Sequence, residues 1–216
     1  MTNYVVTTTS DCTAGDGDIS LREAITAASS NAAFGDAAAG TLNDTITFAA
    51  GISGQEIALA IGELTVAGGE PITINGDIDG DGTADISITR QAMDNVGGGD
   101  FVDVVDGAGD FRIFDNAGTL TLNDLNISNG ASTTTGGAVR NSGTLTTDNV
   151  TLAENTAGTN GGAVYNTGTA TFTDTTFDSN EADGEIVGEG GGGIFNAGGT
   201  VTITGGMFDS NRAAGM

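Results

Sequence analysis

The chain has 216 residues, with 29 Asp and Glu against five basic residues, all arginine, for a formal charge of −24. That balance opposes binding to nucleic acid or to an anionic membrane surface. The sequence has no histidine or lysine, one cysteine, and no run near the roughly 20 apolar residues of a membrane span, which excludes histidine-dependent catalysis, internal disulfides and direct membrane insertion by a helix.

High charge often accompanies disorder, but 38% apolar content in ordered alternation predicts a folded chain, read as one domain over residues 1–216. The opening Met1-Thr2-Asn3-Tyr4-Val5-Val6 lacks the basic and apolar regions of a cleavable signal peptide. Cys12 reads as a small buried or half-buried residue, with linkage to another chain as the alternative. Ser20 followed by Glu23 forms a capping box and predicts a helix over residues 20–30. Leu21, Ala24, Ile25 and Ala28 fall on one face of it, so residues 1–35 are expected to plug the open end of a core.

Residues 36–110 read as irregular coils around one chemical motif, the loop Asp77-Ile78-Asp79-Gly80-Asp81-Gly82-Thr83-Ala84-Asp85. Asp77, Asp79, Asp81 and Asp85, with Gly82 and the carbonyl of Thr83, follow the first nine positions of an EF-hand-type calcium loop. Ile88 stands where the bidentate carboxylate would be, so the expectation is a strand-to-strand loop holding a structural Ca²⁺, against a solvated acidic turn. Asp94, Asp100, Asp103, Asp106 and Asp110 are candidates for a second, looser cation site.

From residue 111 onward one phrase recurs: Ile113-Phe114-Asp115-Asn116, then Gly136-Gly137-Ala138-Val139-Arg140-Asn141, Gly161-Gly162-Ala163-Val164-Tyr165-Asn166 and Gly191-Gly192-Gly193-Ile194-Phe195-Asn196. The asparagines are spaced 141−116 = 25, 166−141 = 25 and 196−166 = 30. Such a period marks a solenoid whose repeats bury their apolar faces only against one another. Apolar residues alternate within each copy (Leu120 and Leu122, Leu125 and Ile127), which predicts strands. The predicted fold is therefore all-β: a parallel β-helix with a short N-terminal capping helix, its turns about 4.8 Å apart. Asn116, Asn141, Asn166 and Asn196 are expected to form a structural ladder, and Asn129, Asn155, Asn180 and Asn211 a second. The glycine pairs are expected at corners needing positive φ or close backbone approach. The last residues follow a closed repeat without a polar cap, which predicts a segment of a longer solenoid.

Asp16-Gly17-Asp18-Ile19-Ser20-Leu21-Arg22-Glu23-Ala24-Ile25, with Asp44-Thr45-Ile46-Thr47-Phe48, Gly62-Glu63-Leu64-Thr65-Val66 and Pro71-Ile72-Thr73-Ile74-Asn75-Gly76, resembles the N-terminal signature of CSLREA-domain proteins. Ile19 replaces that family's cysteine, so no thiol role carries over. The Gly-Gly-Ala-Val and Phe-Asp-Ser-Asn phrases are similar to repeats of chlamydial-type polymorphic outer membrane proteins. The resemblance implies a right-handed parallel β-helix from a large bacterial secreted or cell-surface protein, often an adhesin.

Three outer features remain for function. Thr119 and Thr121, Thr144 and Thr146, Thr169 and Thr171, and Thr200 and Thr202 are expected to form two hydroxyl ladders. Such a face is similar to those of ice-binding β-solenoids, although threonine suits any exposed strand. Asp115, Arg140, Tyr165 and Phe195 form an outward column in which Arg140, Tyr165 and Phe195 are a candidate face for a carbohydrate or a host or cell-surface protein. Residues 181–190 are expected to project as a loop. The leading reading is a non-enzymatic, calcium-stabilised adhesin or stalk segment. A polysaccharide lyase or epimerase is the alternative; it needs a base, for which Arg90, Arg112, Arg140 or a tyrosine are the candidates. An ice-binding domain is the third.

Overall fold

A computed structural model of the chain describes residues 1–91, 110–184 and 188–214. Asp94, Asp100, Asp103 and Asp106 of the expected second cation site lie outside these residues. The described chain begins with β1 (Asn3–Val6), α1 (Leu21–Ser30), β2 (Asp44–Phe48), a 3₁₀ turn (Ala50–Ile52), β3 (Glu56–Leu59), β4 (Leu64–Val66), β5 (Ile72–Asn75) and β6 (Ile86–Arg90). Four repeat units follow. They comprise β7 (Phe114–Asn116), β8 (Thr119–Ser128) and β9 (Ala131–Ser132), then β10 (Val139–Asn141), β11 (Thr144–Ala153) and β12 (Thr156–Ala157). The third holds β13 (Val164–Asn166), β14 (Thr169–Thr173), β15 (Thr176–Asp178) and β16 (Glu181–Ala182). The last holds β17 (Ile194–Asn196), β18 (Thr200–Thr204), β19 (Met207–Asp209) and β20 (Arg212–Ala213).

The protein is all-β but for its one helix among the described residues, and every pairing between these strands is parallel. Each unit visits three sheets in the same order: one running β4-β7-β10-β13-β17, a large one through β1-β2-β5-β8-β11-β14-β18, and one running β9-β12-β16-β20. Register is fixed by the alternation, because a one-residue slip would turn the apolar set outward. Leu120, Leu145, Ala170 and Val201 share one interior column, and Leu122, Thr147, Phe172 and Ile203 the next. Small Ala170 sits two residues before Phe172, whose ring meets Phe177 edge-on at 5.2 Å between centroids.

The helix forms as the capping box predicts: Ser20 accepts from the Glu23 amide at 3.2 Å, and Glu23 accepts from the Ser20 amide at 2.9 Å. Leu21, Ala24, Ile25 and Ala28 are buried, and α1 lies against β4, β1, β2 and β5, the first strands of two sheets. Glu23 itself is fully buried; Gly35, at φ +56°, passes so close that any Cβ there would strike its carboxylate.

The first asparagine ladder stands as expected. Asn116 donates to Asn141 at 2.7 Å, Asn141 to Asn166 at 2.7 Å, and Asn166 to Asn196 at 2.9 Å. The second is corrected at its first rung. Asn155 donates to Asn180 at 2.9 Å and Asn180 to Asn211 at 2.8 Å, but the place below Asn155 belongs to Gly130, whose amide donates to the Asn155 side chain at 2.9 Å. A Cβ at Gly130 would lie 2.1 Å from the Gly137 carbonyl, so no asparagine fits. Asn129 instead begins an exposed left-handed corner with Glu154, Ser179 and Ser210, at φ 57°, 55°, 53° and 52°. The two reasons for glycine pairs divide between their members. Gly136, Gly161 and Gly191 have φ of +64°, +70° and +74°, whereas Gly137, Gly162 and Gly192 leave no room for a Cβ against the next unit's backbone.

Candidate functional site

The aspartate loop joins β5 to β6 and is shaped by its own carboxylates. Asp77 accepts from the amides of Gly80 at 2.7 Å and Gly82 at 3.0 Å, and Asp79 from that of Asp81 at 3.1 Å. Gly80 and Gly82 take φ of +81° and +79°, which lets the backbone turn its amides inward. Asp85 closes the loop, accepting from the Ile78 amide and the Ser53 hydroxyl, both at 2.8 Å. The Ile78 amide first and the Ser53 hydroxyl second hold the Asp85 carboxyl below the usual carboxylate range.

Asp77, Asp79 and Asp85 each place a carboxylate oxygen within 4.8 Å of the others. Three converging hard oxygen donors fit a Ca²⁺-type cation, and their mutual repulsion falls when one is bound. Asp81, another expected ligand, is not in this group: its carboxylate accepts from the Thr83 amide at 2.9 Å and the Thr83 hydroxyl at 2.6 Å. The loop is tied to the repeats through Asn149, which donates to the Gly82 carbonyl at 3.0 Å and to Asp124 at 2.7 Å. Only Asp110 of the expected second site is described, and it pairs with Arg90 at 3.5 Å, both side chains buried.

The outward column is in register, Asp115 beside Arg140, Arg140 beside Tyr165, and Tyr165 beside Phe195. Arg140 is spent on its neighbour, its Nε donating to Asp115 at 2.8 Å in a two-pronged pair, and this contact raises the guanidinium pKa. Tyr165 and Phe195 lie parallel with centroids 5.8 Å apart and are only half-buried. What remains accessible is an aromatic surface beside an ion pair.

The threonine ladders are also in register, and one runs further than expected. Thr45, Thr73, Thr121, Thr146, Thr171 and Thr202 form an unbroken column across six strands of the large sheet. The extension was open to reading, because Thr45-Ile46 and Thr73-Ile74 repeat the alternation of Thr121-Leu122.

Sequence reasoning missed the buried arginines. Arg112 is 7% exposed, faces Glu63 at 3.3 Å and donates to Ser132 at 3.1 Å; burial pulls its pKa down. A hydrophilic residue next to the apolar Ile113-Phe114 run carries no local sign that it turns inward. Tyr4 donates to the Ala38 carbonyl at 2.9 Å, and burial, then Asp44, pushes its phenol up to about 12. Cys12 is half-buried. Residues 185–187 of the expected projecting loop lie outside the described residues.

Among known proteins, the chain matches no family model, no curated protein and no solved structure. No described helix is long and apolar enough to cross a membrane.

Proposed function

We propose that the chain is a right-handed parallel β-helix serving as a non-enzymatic, calcium-stabilised adhesin, stalk or binding segment of a large bacterial secreted or cell-surface protein. The repeated visit to three parallel sheets supports the β-helix. Its hand follows from the rule that about 98% of parallel crossover connections are right-handed. The resemblance of residues 16–25 to CSLREA-domain proteins supports the setting.

One observation carries the functional reading: a threonine column runs in register from β2 through β18, giving a wall of repeated side chains. Such a wall provides length and display. The Tyr165–Phe195 surface supplies the place where a carbohydrate or a surface protein would rest, since flat aromatic area binds sugar rings and protein hot spots alike. Asp77, Asp79 and Asp85 hold the calcium.

Among the described residues most candidates for a lyase or epimerase base are engaged, with half-buried Tyr165 the exception. Arg22, Arg90, Arg112, Arg140 and Arg212 are each paired with a carboxylate, and the Tyr4 phenol is pushed up to about 12. The six-threonine column favours a second reading, an ice-binding face, which thermal hysteresis of the purified protein would reveal and its absence at high concentration would remove. The main reading is tested by retention of the chain on immobilised polysaccharides and surface proteins. Retention lost in Tyr165→Ala/Phe195→Ala is expected; ultraviolet-absorbing unsaturated products from pectate or alginate would overturn it.

A further inference from the structure

We propose that the outer face of the sheet running β4-β7-β10-β13-β17, with the groove between α1 and β4 at its head, is a binding site for a linear, uncharged polysaccharide lying across the strands. Resting on the carbohydrate reading of Tyr165 and Phe195 above, it adds a ligand class, a direction and a second anchoring place.

The strands of this sheet are only three residues long, so alternation leaves each with one outward side chain. Leu64 and Val66, Phe114 and Asn116, Val139 and Asn141, and Val164 and Asn166 are buried on either side of Thr65, Asp115, Arg140 and Tyr165. The outer face is therefore a single file, Thr65-Asp115-Arg140-Tyr165-Phe195, held in register. At one strand spacing per step it runs about 19 Å. Thr65 also lines a groove of about 290 Å³ against α1, where Ile25, Leu64 and Ala67 supply apolar surface, Ser29 a second hydroxyl and Glu63 a carboxylate. Groove and file are one continuous surface.

Charge selects the ligand. Three of the five arginines gather here, and each is matched: Arg22 with Asp11 at 2.6 Å, Arg112 with Glu63 at 3.3 Å, and Arg140 with Asp115. Glu63 and Asp115 both act on Arg112 and on Arg140, so these four groups form one balanced quartet. On a chain of charge −24 the ion pairs of this flank sum to zero, which suits neither an anion nor a cation. Paired guanidinium and carboxylate groups still keep unused N–H groups and lone pairs. Arg112 is 7% exposed, and its Nε and Nη1 make no hydrogen bond among the described residues. The Ser29 hydroxyl is likewise buried and unpartnered. Unmade bonds of this kind are costly, and a ligand dense in hydroxyls offers partners for them without bringing charge.

Width selects the ligand's shape. A protein partner needs roughly 20–30 residues a side, whereas a file one side chain wide fits an extended chain. The half-buried, stacked rings of Tyr165 and Phe195 meet the apolar faces of its sugars at one end, and the groove holds it at the other.

The test is isothermal titration of the full chain with neutral cello-, manno- and laminari-oligosaccharides of two to six sugars, beside polygalacturonate and fibronectin. At least one neutral series should bind, the hexasaccharide roughly tenfold or more tighter than the disaccharide, with affinity unmoved by sodium chloride because the ligand carries no charge to screen. Ser29→Ala removes a hydroxyl that bonds to nothing in the protein, so the melting temperature should stand while hexasaccharide affinity falls about fivefold. Thr65→Arg, a long side chain across the junction of groove and file, should weaken it roughly tenfold or more. Asn126→Ala, on the outer face of β8, should leave it unchanged. Binding lost in Tyr165→Ala/Phe195→Ala yet unchanged in Ser29→Ala and Thr65→Arg would overturn the groove and file and leave the aromatic surface standing. Affinity that does not grow with chain length, or binding of polygalacturonate or fibronectin alone, would overturn the proposal in the same way. Binding of none of these probes removes both readings.

Discussion

At the scale of single residues, two polar types do unlike work in the same repeats. Asn141 is fully buried, accepts from Asn116 and donates to Asn166 and to the Thr169 carbonyl at 3.0 Å. Asn141→Ala orphans groups on both neighbouring units and is expected to cost about 2–4 kcal/mol in urea unfolding. Asn129→Ala loses mainly a residue that tolerates φ 57° and should cost only about 1 kcal/mol; equal losses would show that both asparagines serve as rungs. The sequence could not separate them, since both precede or follow glycine at similar intervals; the space around Gly130 does. Thr147 and Thr175 make a similar point. Both are 1% exposed and share a 2.7 Å hydrogen bond, while Thr175 also donates to the Thr173 carbonyl at 3.0 Å. Thr147 is then the donor to Thr175. Thr175→Val strands the Thr147 hydroxyl and a carbonyl, for roughly 1–3 kcal/mol, whereas Thr147→Val leaves Thr175 bonded and should be nearly neutral. Their double-mutant cycle should show the Thr175→Val penalty shrinking once Thr147 is valine.

At the scale of elements, whatever depends on neighbours in sequence was legible and whatever depends on neighbouring units was less so. The capping box placed α1 to within a residue, because both partners of the box lie inside one turn. Strand positions followed from alternation. The aspartate loop was legible as a cluster of acids in its residue types, but the grouping of its carboxylates was not. The nine-position pattern assigns Asp81 to the ion, yet its carboxylate accepts from Thr83 and leaves Asp77, Asp79 and Asp85 converging. That difference is measurable. Calcium should raise the melting temperature of the wild-type chain, Asp77→Asn should abolish the rise, and Asp81→Asn should retain most of it. A melting temperature unmoved by calcium and by chelator removes the stabilising ion. Loss of the response in both variants restores the pattern read from sequence. Asp85→Asn is a less clean probe, because the Asp85 carboxylate also anchors Ser53 and the Ile78 amide without any cation.

At the scale of the whole molecule, stability reflects a few buried charge contacts set against a net charge of −24. Burial by itself would raise the pKa of Asp11, but the Arg22 guanidinium and the amides of Ile61 and Ala60 outweigh it and hold that carboxyl below the ordinary range. Asp85 is held low as well. A carboxylate whose folded pKa lies below its unfolded value, about 3.9 for Asp, contributes stability that is present above that value and lost as pH falls through the folded pKa. The acid limb should therefore begin near pH 4 and steepen below it. Tyr4 sets an alkaline limb by the opposite logic: its phenol, about 10 when unfolded, is pushed up to about 12 by burial, so stability drains away as pH rises between the two. Between these limbs, salt at pH 7 should raise the melting temperature by screening the surface acids, since the exposed Arg140–Asp115 and Arg212–Glu181 pairs add only about 0–1 kcal/mol each to be screened away. Asp11→Asn separates the contributions. It leaves Arg22, 12% exposed at its side chain, without its carboxylate, so the neutral-pH plateau should drop by roughly 3 kcal/mol while the acid limb becomes shallower. A variant whose plateau drops but whose acid limb keeps the wild-type slope would assign the acid sensitivity to carboxylates other than Asp11, with Asp85 and its loop the next to test.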